Sequence, residues 1–318
     1  MSVGTAELAD AFEAERPRLL RVAYRLTGSV ADAEDAVQEA WLRLDRAESA
    51  AIRDLPAWLT TVVSRICLDR LTSAAARRET YVGNWLPEPV VTAFPTPGHA
   101  SAAPDPLDAV VADADARYAA LVILEALPPN QRVAFVLHDG FGVPFADVAD
   151  VLGTSPANAR QLAARARAGV ADPPPASDAE TRLRAVEQLA AALSAGDLDA
   201  IVAVLHPDVV ARGDSGGTTA TALHAVRGSD KVARFFLGLL DKYGTHVITT
   251  ARPVLVNGEL GFLLAGSPGD ATHDPIPPRV MALGVRDGRI AELYDLANPA
   301  KLRHVRLPDG TRPVPEAD

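Results

Sequence analysis

The side chains best suited to chemistry with DNA lie near the middle of the chain. Asn158 and Gln161 carry amides that can pair bidentately with adenine, and they are one helical turn apart. Residues 156–170 contain no acid, and three arginines give this segment a positive charge: Arg160, Arg165 and Arg167. An arginine can pair with guanine or neutralise a phosphate. We expect Ser155, Asn158 and Gln161 to face bases, and we favour phosphate contacts for Arg165 and Arg167.

The residues around this segment predict the element that positions it. Residues 145–152 have the pattern of a supporting helix, and Gly153 with Thr154 supplies a sharp turn. Ser155 is suited to cap the next helix and Pro156 to begin it. The sequence therefore predicts a helix-turn-helix whose second helix enters the major groove.

A second polar surface is predicted near the start of the chain, on an amphipathic helix over residues 32–43. Its apolar positions follow the spacing of one helical face: Ala33, Ala36, Val37, Ala40, Trp41 and Leu44. The opposite face carries Asp35, Gln38, Glu39 and Arg43, and Glu39 can pair with Arg43 four residues on. Taken alone, such a face is more often solvated than a docking surface.

A third helix is predicted from Leu55, with a stripe of apolar side chains: Leu55, Trp58, Leu59, Val62 and Ile66. The pattern favours Trp58 as a core residue. The polar residues outside that stripe are Thr61, Ser64, Arg65 and Arg70.

Together these motifs resemble the extracytoplasmic-function sigma factors, which carry only sigma regions 2 and 4. The matching residues are Tyr24-Arg-Leu-Thr-Gly28, residues 32–43, Leu55-Pro-Ala-Trp-Leu-Thr60, Arg65, Leu68-Asp-Arg-Leu71, Leu127-Pro-Pro-Asn-Gln-Arg132 and Val136-Leu137. The resemblance implies that Asp35, Gln38, Glu39 and Arg43 bind the largest-subunit clamp of core RNA polymerase. It also implies a second contact with the flap region.

The resemblance further assigns two promoter contacts. The −10 element would meet Arg53, Thr61, Ser64, Arg65 and Arg70, with residues 47–53 framing a pocket for a flipped base. The −35 element would meet the recognition helix through Ser155, Asn158, Arg160, Gln161, Arg165 and Arg167.

The last part of the chain has a different pattern. Helices are predicted over residues 179–195, 198–205 and 229–243, and strands over 246–256, 259–265, 280–285 and 290–296. Asn257-Gly258 suits a type I′ hairpin turn. Helices followed by an antiparallel sheet indicate an α+β domain, which resembles the SnoaL-like, ketosteroid-isomerase-like cone fold.

Such an extension resembles that of the sigma-J-type subgroup. Two short motifs support the match: Trp85-Leu-Pro-Glu-Pro89 in the linker and Asn298-Pro-Ala-Lys-Leu302 in the tail. We expect an interdomain contact formed by Trp85, Leu86, Pro87, Glu88, Pro89, Asp214, Asn298, Pro299, Lys301 and Leu302.

The predicted organisation is multidomain, with two all-α sigma domains followed by the α+β domain. Its parts are region 2 (6–80), a Pro-rich linker (81–111), region 4 with the helix-turn-helix (112–171), the SnoaL-like regulatory domain (177–306) and a tail (307–318).

The C-terminal segment offers polar pocket candidates without catalytic spacing: Asp214, His224, Arg227, His246, His273, Tyr294 and Asp295. Asp214, Arg227 and Asp295 could form the carboxylate, arginine, carboxylate set of an epoxide hydrolase, although their spacing does not require it. We therefore expect no catalytic residue, no metal site and no cofactor. Two alternatives stay open: a ketosteroid-isomerase-like enzyme fused to DNA-binding helices, and a ligand-sensing repressor.

Composition sets further bounds. The 318 residues carry a net charge of −10, which predicts weak DNA binding by the free chain, since affinity depends on phosphate neutralisation. Cys67 is the only cysteine, so an intrachain disulfide is excluded. No apolar run is long enough for a membrane span, and we expect a cytoplasmic protein with no membrane partner. A small ligand or an anti-sigma partner is left open.

Overall fold

The computed structural model describes residues 5–47, 52–78, 81–94, 117–170 and 177–305. These residues form two compact units. The first contains residues 5–78 and 120–170, and the second contains residues 81–94, 117–119 and 177–305. The predicted linker motif therefore belongs to the same unit as the C-terminal domain. None of the helices in the described ranges is long and apolar enough to cross a lipid bilayer.

The first unit begins with three packed helices: α1 (Thr5–Thr27), α2 (Val30–Asp45) and α3 (Leu55–Arg78). The Ser29 side chain caps α2 by accepting a hydrogen bond from the Asp32 N–H at 3.1 Å. The predicted apolar stripe of α2 is buried, except for Trp41, which is half-buried and packs on Phe12 with ring centroids 5.0 Å apart.

The buried face of α3 differs from the predicted stripe. Leu59 and Ile66 are buried as expected, whereas Trp58 and Val62 are only half-buried. The core is completed by Val63, Ser64, Cys67 and Leu71. The predicted stripe is wrong because α3 contacts helices on more than one side, so its buried surface is wider than a single apolar line.

Region 4 consists of α4 (Tyr118–Glu125), α5 (Pro129–Phe135), a π-helical turn (Val136–Gly140), α6 (Phe145–Leu152) and α7 (Pro156–Gly169). The helix-turn-helix prediction is confirmed. Gly153 ends α6 in the left-handed conformation with φ of 60°, and the Thr154 N–H donates to the Ala149 carbonyl at 3.0 Å. Ser155 caps α7 and Pro156 is its first residue.

The second unit contains α8 (Ala179–Ala195), α9 (Leu198–Val204), α10 (Ser229–Tyr243) and α11 (His246–Thr250). Its strands are β1 (Val91–Ala93), β2 (Leu205–Asp214), β3 (Val226–Arg227), β4 (Arg252–Val256), β5 (Glu259–Leu264), β6 (Arg279–Arg286) and β7 (Arg289–Leu296). They form one sheet in the order β1-β4-β5-β6-β7-β2-β3. A short 3₁₀ helix, Pro299–Leu302, follows the last strand.

Three sequence predictions for this unit are corrected. Residues 246–250 form a helix and not a strand, since a helical turn places Val247, Ile248 and Ala251 together on one apolar wall. Leu205 begins a strand that the sequence did not predict. That strand, β2, pairs parallel with β7, so the sheet is mixed and not purely antiparallel.

The α+β architecture itself is confirmed, and so is the hairpin turn. Asn257 and Gly258 both have positive φ, at 51° and 79°, as a type I′ turn requires.

Candidate functional site

The recognition helix presents an exposed polar face. All six predicted −35 residues are exposed, whereas Ala159, Ala163 and Ala166 are buried against the rest of the unit. The Ser155 hydroxyl accepts a hydrogen bond from the Asn158 N–H at 3.2 Å, and the Asn158 amide donates to Thr154 Oγ1 at 2.8 Å. The cap therefore fixes the start of the helix and holds Asn158 in one orientation at the surface.

Two arginines of this helix have partners within the unit. Arg167 Nε donates to Asp139 Oδ1 at 2.7 Å, and the Arg160 guanidinium lies 5.4 Å from the centre of the Phe145 ring. The Arg167 side chain is 47% exposed. Exposed ion pairs are weak, so a phosphate can replace Asp139 at little cost.

The predicted polymerase-binding face of α2 is accessible. Asp35, Gln38 and Arg43 are exposed, and Glu39 Oε1 accepts from Arg43 Nη2 at 2.5 Å. Sequence reasoning missed Leu42, which is 47% exposed. Leu42 shares this face because positions i, i+3, i+4 and i+7 of a helix align. The sequence signal for this exposed apolar side chain was the position of Leu42 outside the predicted apolar stripe of α2.

The predicted −10 residues are placed in different environments. Arg53 is exposed, and Thr61 is half-buried with its hydroxyl donating to the Ala57 carbonyl at 3.1 Å. Ser64 is fully buried, so its prediction as a DNA contact is wrong: its position on α3 faces the helix bundle. Of the proposed flipped-base pocket at 47–53, residues 48–51 lie outside the described part of the chain.

The remaining two −10 candidates are engaged within the first unit. Arg70 Nη1 pairs with Asp32 Oδ1 at 2.9 Å and with Asp35 Oδ2 at 3.4 Å. Arg65 Nη2 donates to the Asp150 carbonyl of α6 at 2.7 Å. The first contact joins α3 to the predicted polymerase-binding face of α2, and the second joins α3 to the first helix of the helix-turn-helix.

A buried contact strengthens the packing of region 2 on region 4. Arg132 Nη1 donates to the Leu26 carbonyl of α1 at 3.0 Å and pairs with Glu125 Oε1 at 2.7 Å. The Arg132 and Glu125 side chains are 2% and 8% exposed. Regions 2 and 4 are therefore closely packed within this unit.

In the second unit, Asp214 is the centre of a buried polar cluster on the linker. Its carboxylate accepts hydrogen bonds from the Tyr81 hydroxyl, the Leu86 N–H at 2.8 Å and the Gly216 N–H at 3.1 Å. It also pairs with Lys301 Nζ at 2.7 Å. The Asp214 and Lys301 side chains are 0% and 5% exposed. We call Tyr81, Trp85, Leu86, Asp214, Asn298 and Lys301 the linker cluster.

Lys301 and Asn298 complete this cluster from the tail. The Lys301 ammonium also donates to the Leu86 carbonyl and lies 3.4 Å from the centre of the Trp85 ring. Asn298 Nδ2 donates to the Tyr81 hydroxyl at 2.8 Å. Burial, and then the bond to Asp214, raise the pKa of Tyr81, which keeps the phenol protonated as a donor.

The linker beyond Leu86 is also bound to the C-terminal domain. The Asn257 side chain accepts from the Val90 N–H at 3.1 Å, and β1 pairs antiparallel with β4. The Pro89 carbonyl contacts His304 Nε2 at 2.7 Å, and the Pro87 carbonyl accepts from the Tyr118 hydroxyl at 2.6 Å.

The structure brings together the linker and tail motifs predicted to form the interdomain contact. Leu86, Pro87, Pro89 and Leu302 are buried, whereas Glu88 and Pro299 are half-buried. The three residues proposed for an epoxide-hydrolase set are not assembled. Asp214 bonds the linker, Arg227 is exposed, and Asp295 pairs with Arg279 at 2.9 Å. His224 is exposed, and Tyr294 is buried with its ring against Tyr118.

Comparisons with known proteins agree with the architecture. The chain matches Sigma-70 region 2 over residues 11–77, Sigma-70, region 4 over residues 118–168 and the SnoaL-like domain over residues 186–293.

Two curated relatives from Mycobacterium tuberculosis match most of the chain. One, ECF RNA polymerase sigma factor SigJ, is 57% identical over 298 residues and covers 91% of each chain. Another, probable ECF RNA polymerase sigma factor SigI, is 35% identical and covers 93% of this chain and 95% of its own length. The crystal structure of the M. tuberculosis SigJ superposes with a TM-score of 0.78 at 55% identity, over 92% of this chain and 98% of that one. On these matches, the chain belongs to the extracytoplasmic-function RNA polymerase sigma factors.

Proposed function

We propose that this chain is a transcription initiation factor that binds core RNA polymerase and directs it to promoters, and that its C-terminal domain restrains it in cis by holding the linker. Family membership and two accessible surfaces support the first part: the polar face of α2, which includes the exposed Leu42, and the exposed face of α7. A partly apolar patch within a polar rim has the composition of a docking surface.

The packing of the first unit indicates a resting state that must open. The −10 and −35 elements are about 25 base pairs apart, which is about 85 Å at roughly 3.4 Å per pair. Arg65 and the Asp150 carbonyl, one from each DNA-binding region, are 2.7 Å apart. Regions 2 and 4 cannot reach both elements in this arrangement, so initiation requires their separation.

The linker cluster is the observation that carries the regulatory part. A hydrogen bond joins Pro87 to Tyr118, so the two ends of the 30-residue segment between them are held together. Extended, those residues would span up to about 100 Å, enough to follow separated regions. While both ends of this segment are held on the C-terminal domain, it cannot extend to follow regions 2 and 4 as they separate. The effective concentration of region 4 at region 2 therefore stays high.

We assign this domain a role in contact and not in catalysis. Asp214, one of the two acids of the epoxide-hydrolase set considered above, has its carboxylate committed to four donors. Arg227 is exposed, whereas a catalytic arginine of such a set would be buried beside its carboxylates. We therefore expect Asp214→Asn to alter regulation through the linker, and we expect no enzymatic activity to depend on Asp214.

A pull-down with core RNA polymerase tests the docking surface. Asp35→Lys with Glu39→Lys reverses two charges on the face that contains Leu42 and should strongly reduce binding, because electrostatic complementarity steers such encounters. Asp10→Lys with Glu13→Lys on α1 makes the same change in net charge at exposed positions and should bind as wild type does. Equal binding by both double variants would contradict the assignment of α2.

A distance measurement tests the restraint. Spin labels at Glu34→Cys on α2 and Ala164→Cys on α7 report the separation of regions 2 and 4, and Cys67 can be retained since it is fully buried. Lys301→Met should lengthen and broaden the distance distribution. Arg234→Met, which removes an exposed cation from the same domain, is the control and should leave it unchanged. An unchanged distribution in Lys301→Met would contradict restraint by the linker cluster.

A further inference from the structure

The C-terminal domain contains a partly open apolar cavity that the linker cluster does not use. It lies between one face of the sheet and helices α8, α10 and α11, and its volume is about 180 Å³. Its walls are mostly aliphatic and aromatic, and they include Leu189, Phe236, Tyr243, Phe262, Met281 and Leu293. An apolar cavity of about 150 Å³ can stay dry and bind benzene, so this volume is sufficient for a small aromatic molecule.

One wall of the cavity carries a fixed carboxylate. Asp295 Oδ2 accepts from Arg279 Nη1 and from Thr221 Oγ1, each at 2.9 Å. The Arg279 and Asp295 side chains are 6% and 24% exposed. Ligand pockets typically combine apolar walls with a few fixed polar groups that orient the ligand. The Asp295 carboxylate has about four lone-pair sites, and these two donors occupy only part of that capacity.

We propose that this cavity binds an uncharged aromatic molecule of one or two rings that carries a hydroxyl group, with the hydroxyl donating to Asp295. The aromatic body matches the walls, where Phe235, Phe236, Tyr243 and Phe262 can contact ring faces and edges. A charged ligand is disfavoured because the walls are mostly apolar and Asp295 is already paired with Arg279, so burying a further charge there would be costly.

The cavity and the linker cluster share two strands, so a ligand bound in the cavity can affect the linker. Gly213 of β2 and Asp295 of β7 are register partners in the cavity wall. Asp214, the next residue on β2, does not line the cavity, and its carboxylate bonds the linker. The binding site does not depend on the proposed regulatory role, but the two share the same pair of strands.

A methyl NMR experiment on the full chain tests the site. Met1 and Met281 are the two methionines of the sequence, and Met281 lines the cavity. With ¹³C-methyl methionine, 2-naphthol should shift the Met281 resonance in a saturable manner and give intermolecular NOEs to it, while Met1 stays unchanged. Naphthalene, which lacks the hydroxyl, should bind about ten-fold more weakly, and 2-naphthoate should not bind in the cavity.

Two variants assign the contacts. Asp295→Asn keeps an oxygen acceptor for Arg279 and should lower the affinity for 2-naphthol about five-fold without changing that for naphthalene, since hydrogen bonds to a charged acceptor are stronger. Met281→Trp should fill the cavity and abolish binding of both probes. Leu223→Trp adds the same ring at a half-exposed position outside the cavity wall and should leave binding unchanged.

Several results would overturn the proposal. They are the absence of a Met281 shift at millimolar 2-naphthol, equal affinities for 2-naphthol and naphthalene, or preferred binding of 2-naphthoate. The first of these is measured in the wild-type chain, so the proposal can be refuted even if Met281→Trp does not fold.

Discussion

Replacing Lys301 by Met should destabilise the second unit by about 3 kcal/mol. Breaking a buried ion pair by removing one partner costs about 3–5 kcal/mol, because the remaining charge is left uncompensated. We place this variant at the lower end of that range, since Asp214 keeps three donors: the Tyr81 hydroxyl and the N–H groups of Leu86 and Gly216. Met retains most of the side-chain length, so the packing against Trp85 is largely preserved.

Differential scanning calorimetry and limited proteolysis measure the effect. For a domain of about 150 residues, 1 kcal/mol lowers Tm by about 2–4 °C, so Lys301→Met should lower the Tm of the second unit by about 6–12 °C. Cleavage near Trp85 should accelerate, because the linker loses its bonds to Lys301. Arg234→Met, in which an exposed pair with Asp230 is broken, should leave both unchanged.

A small change in Tm would contradict a stabilising role for the ion pair. If the Tm of Lys301→Met lies within 2 °C of the wild-type value, the ion pair does not stabilise the cluster. At this domain size, a shift of 2 °C corresponds to a change of about half a kcal/mol in the free energy of unfolding. If Tm falls but the linker stays protected from protease, the pair stabilises the domain without holding the linker.

Further predictions concern the DNA-binding surface, the buried thiol and the glycine loop. Asn158→Ala or Gln161→Ala should change base preference at individual positions of the −35 element, whereas Arg167→Ala should weaken binding to all promoter sequences similarly and reduce the slope of affinity against salt concentration by about one. Holoenzyme binding to a promoter library distinguishes these outcomes, and a uniform loss of affinity in all three variants would show that the recognition face is misplaced. Burial raises the pKa of the Cys67 thiol to about 12, so at pH 8 the thiol should react with a disulfide reagent only as fast as the first unit unfolds. Rapid reaction of the native chain would contradict the burial of Cys67. Gly216→Ala should loosen the linker cluster, since φ is 59° and a Cβ would lie 2.7 Å from Asn298 Nδ2; unchanged protease resistance of the linker would count against this contact.

Local signals explain what could be predicted from the sequence. The helix-turn-helix was correctly bounded because Gly153, Ser155 and Pro156 each act on the backbone within a few residues of themselves. The Asn257-Gly258 turn was predicted for the same reason, since its two residues tolerate positive φ. These features need no tertiary partner to be recognised.

Tertiary contacts explain what was missed. Residues 246–250 are rich in β-branched side chains, which favour a strand, yet they form a helix because Val247 and Ile248 pack on the cavity wall. β2 was not predicted, since His206-Pro-Asp and Gly213 interrupt the apolar alternation, and its pairing partner lies about 80 residues later.

The linker cluster shows the same limit at the level of function. The predicted contact included Asp214 and Lys301, but the sequence does not show that these two residues, 87 positions apart, form a buried ion pair or that Tyr81 joins them. The prediction of Ser64 as a DNA contact failed because polarity alone does not determine which face of α3 is buried.

Run-off transcription with purified core RNA polymerase measures both initiation by this chain and its restraint by the C-terminal domain. Promoter fragments from a random library would be transcribed with core enzyme alone, with the wild-type chain and with Lys301→Met, each chain at the same concentration and below its melting temperature. We expect no specific initiation by core enzyme alone and initiation at discrete sites with the wild-type chain. Lys301→Met should give more transcript from the same sites, because release of the linker lets regions 2 and 4 separate. Absence of specific transcripts with the wild-type chain would contradict its role as an initiation factor, and equal or lower yield with a folded Lys301→Met chain would contradict restraint by the C-terminal domain.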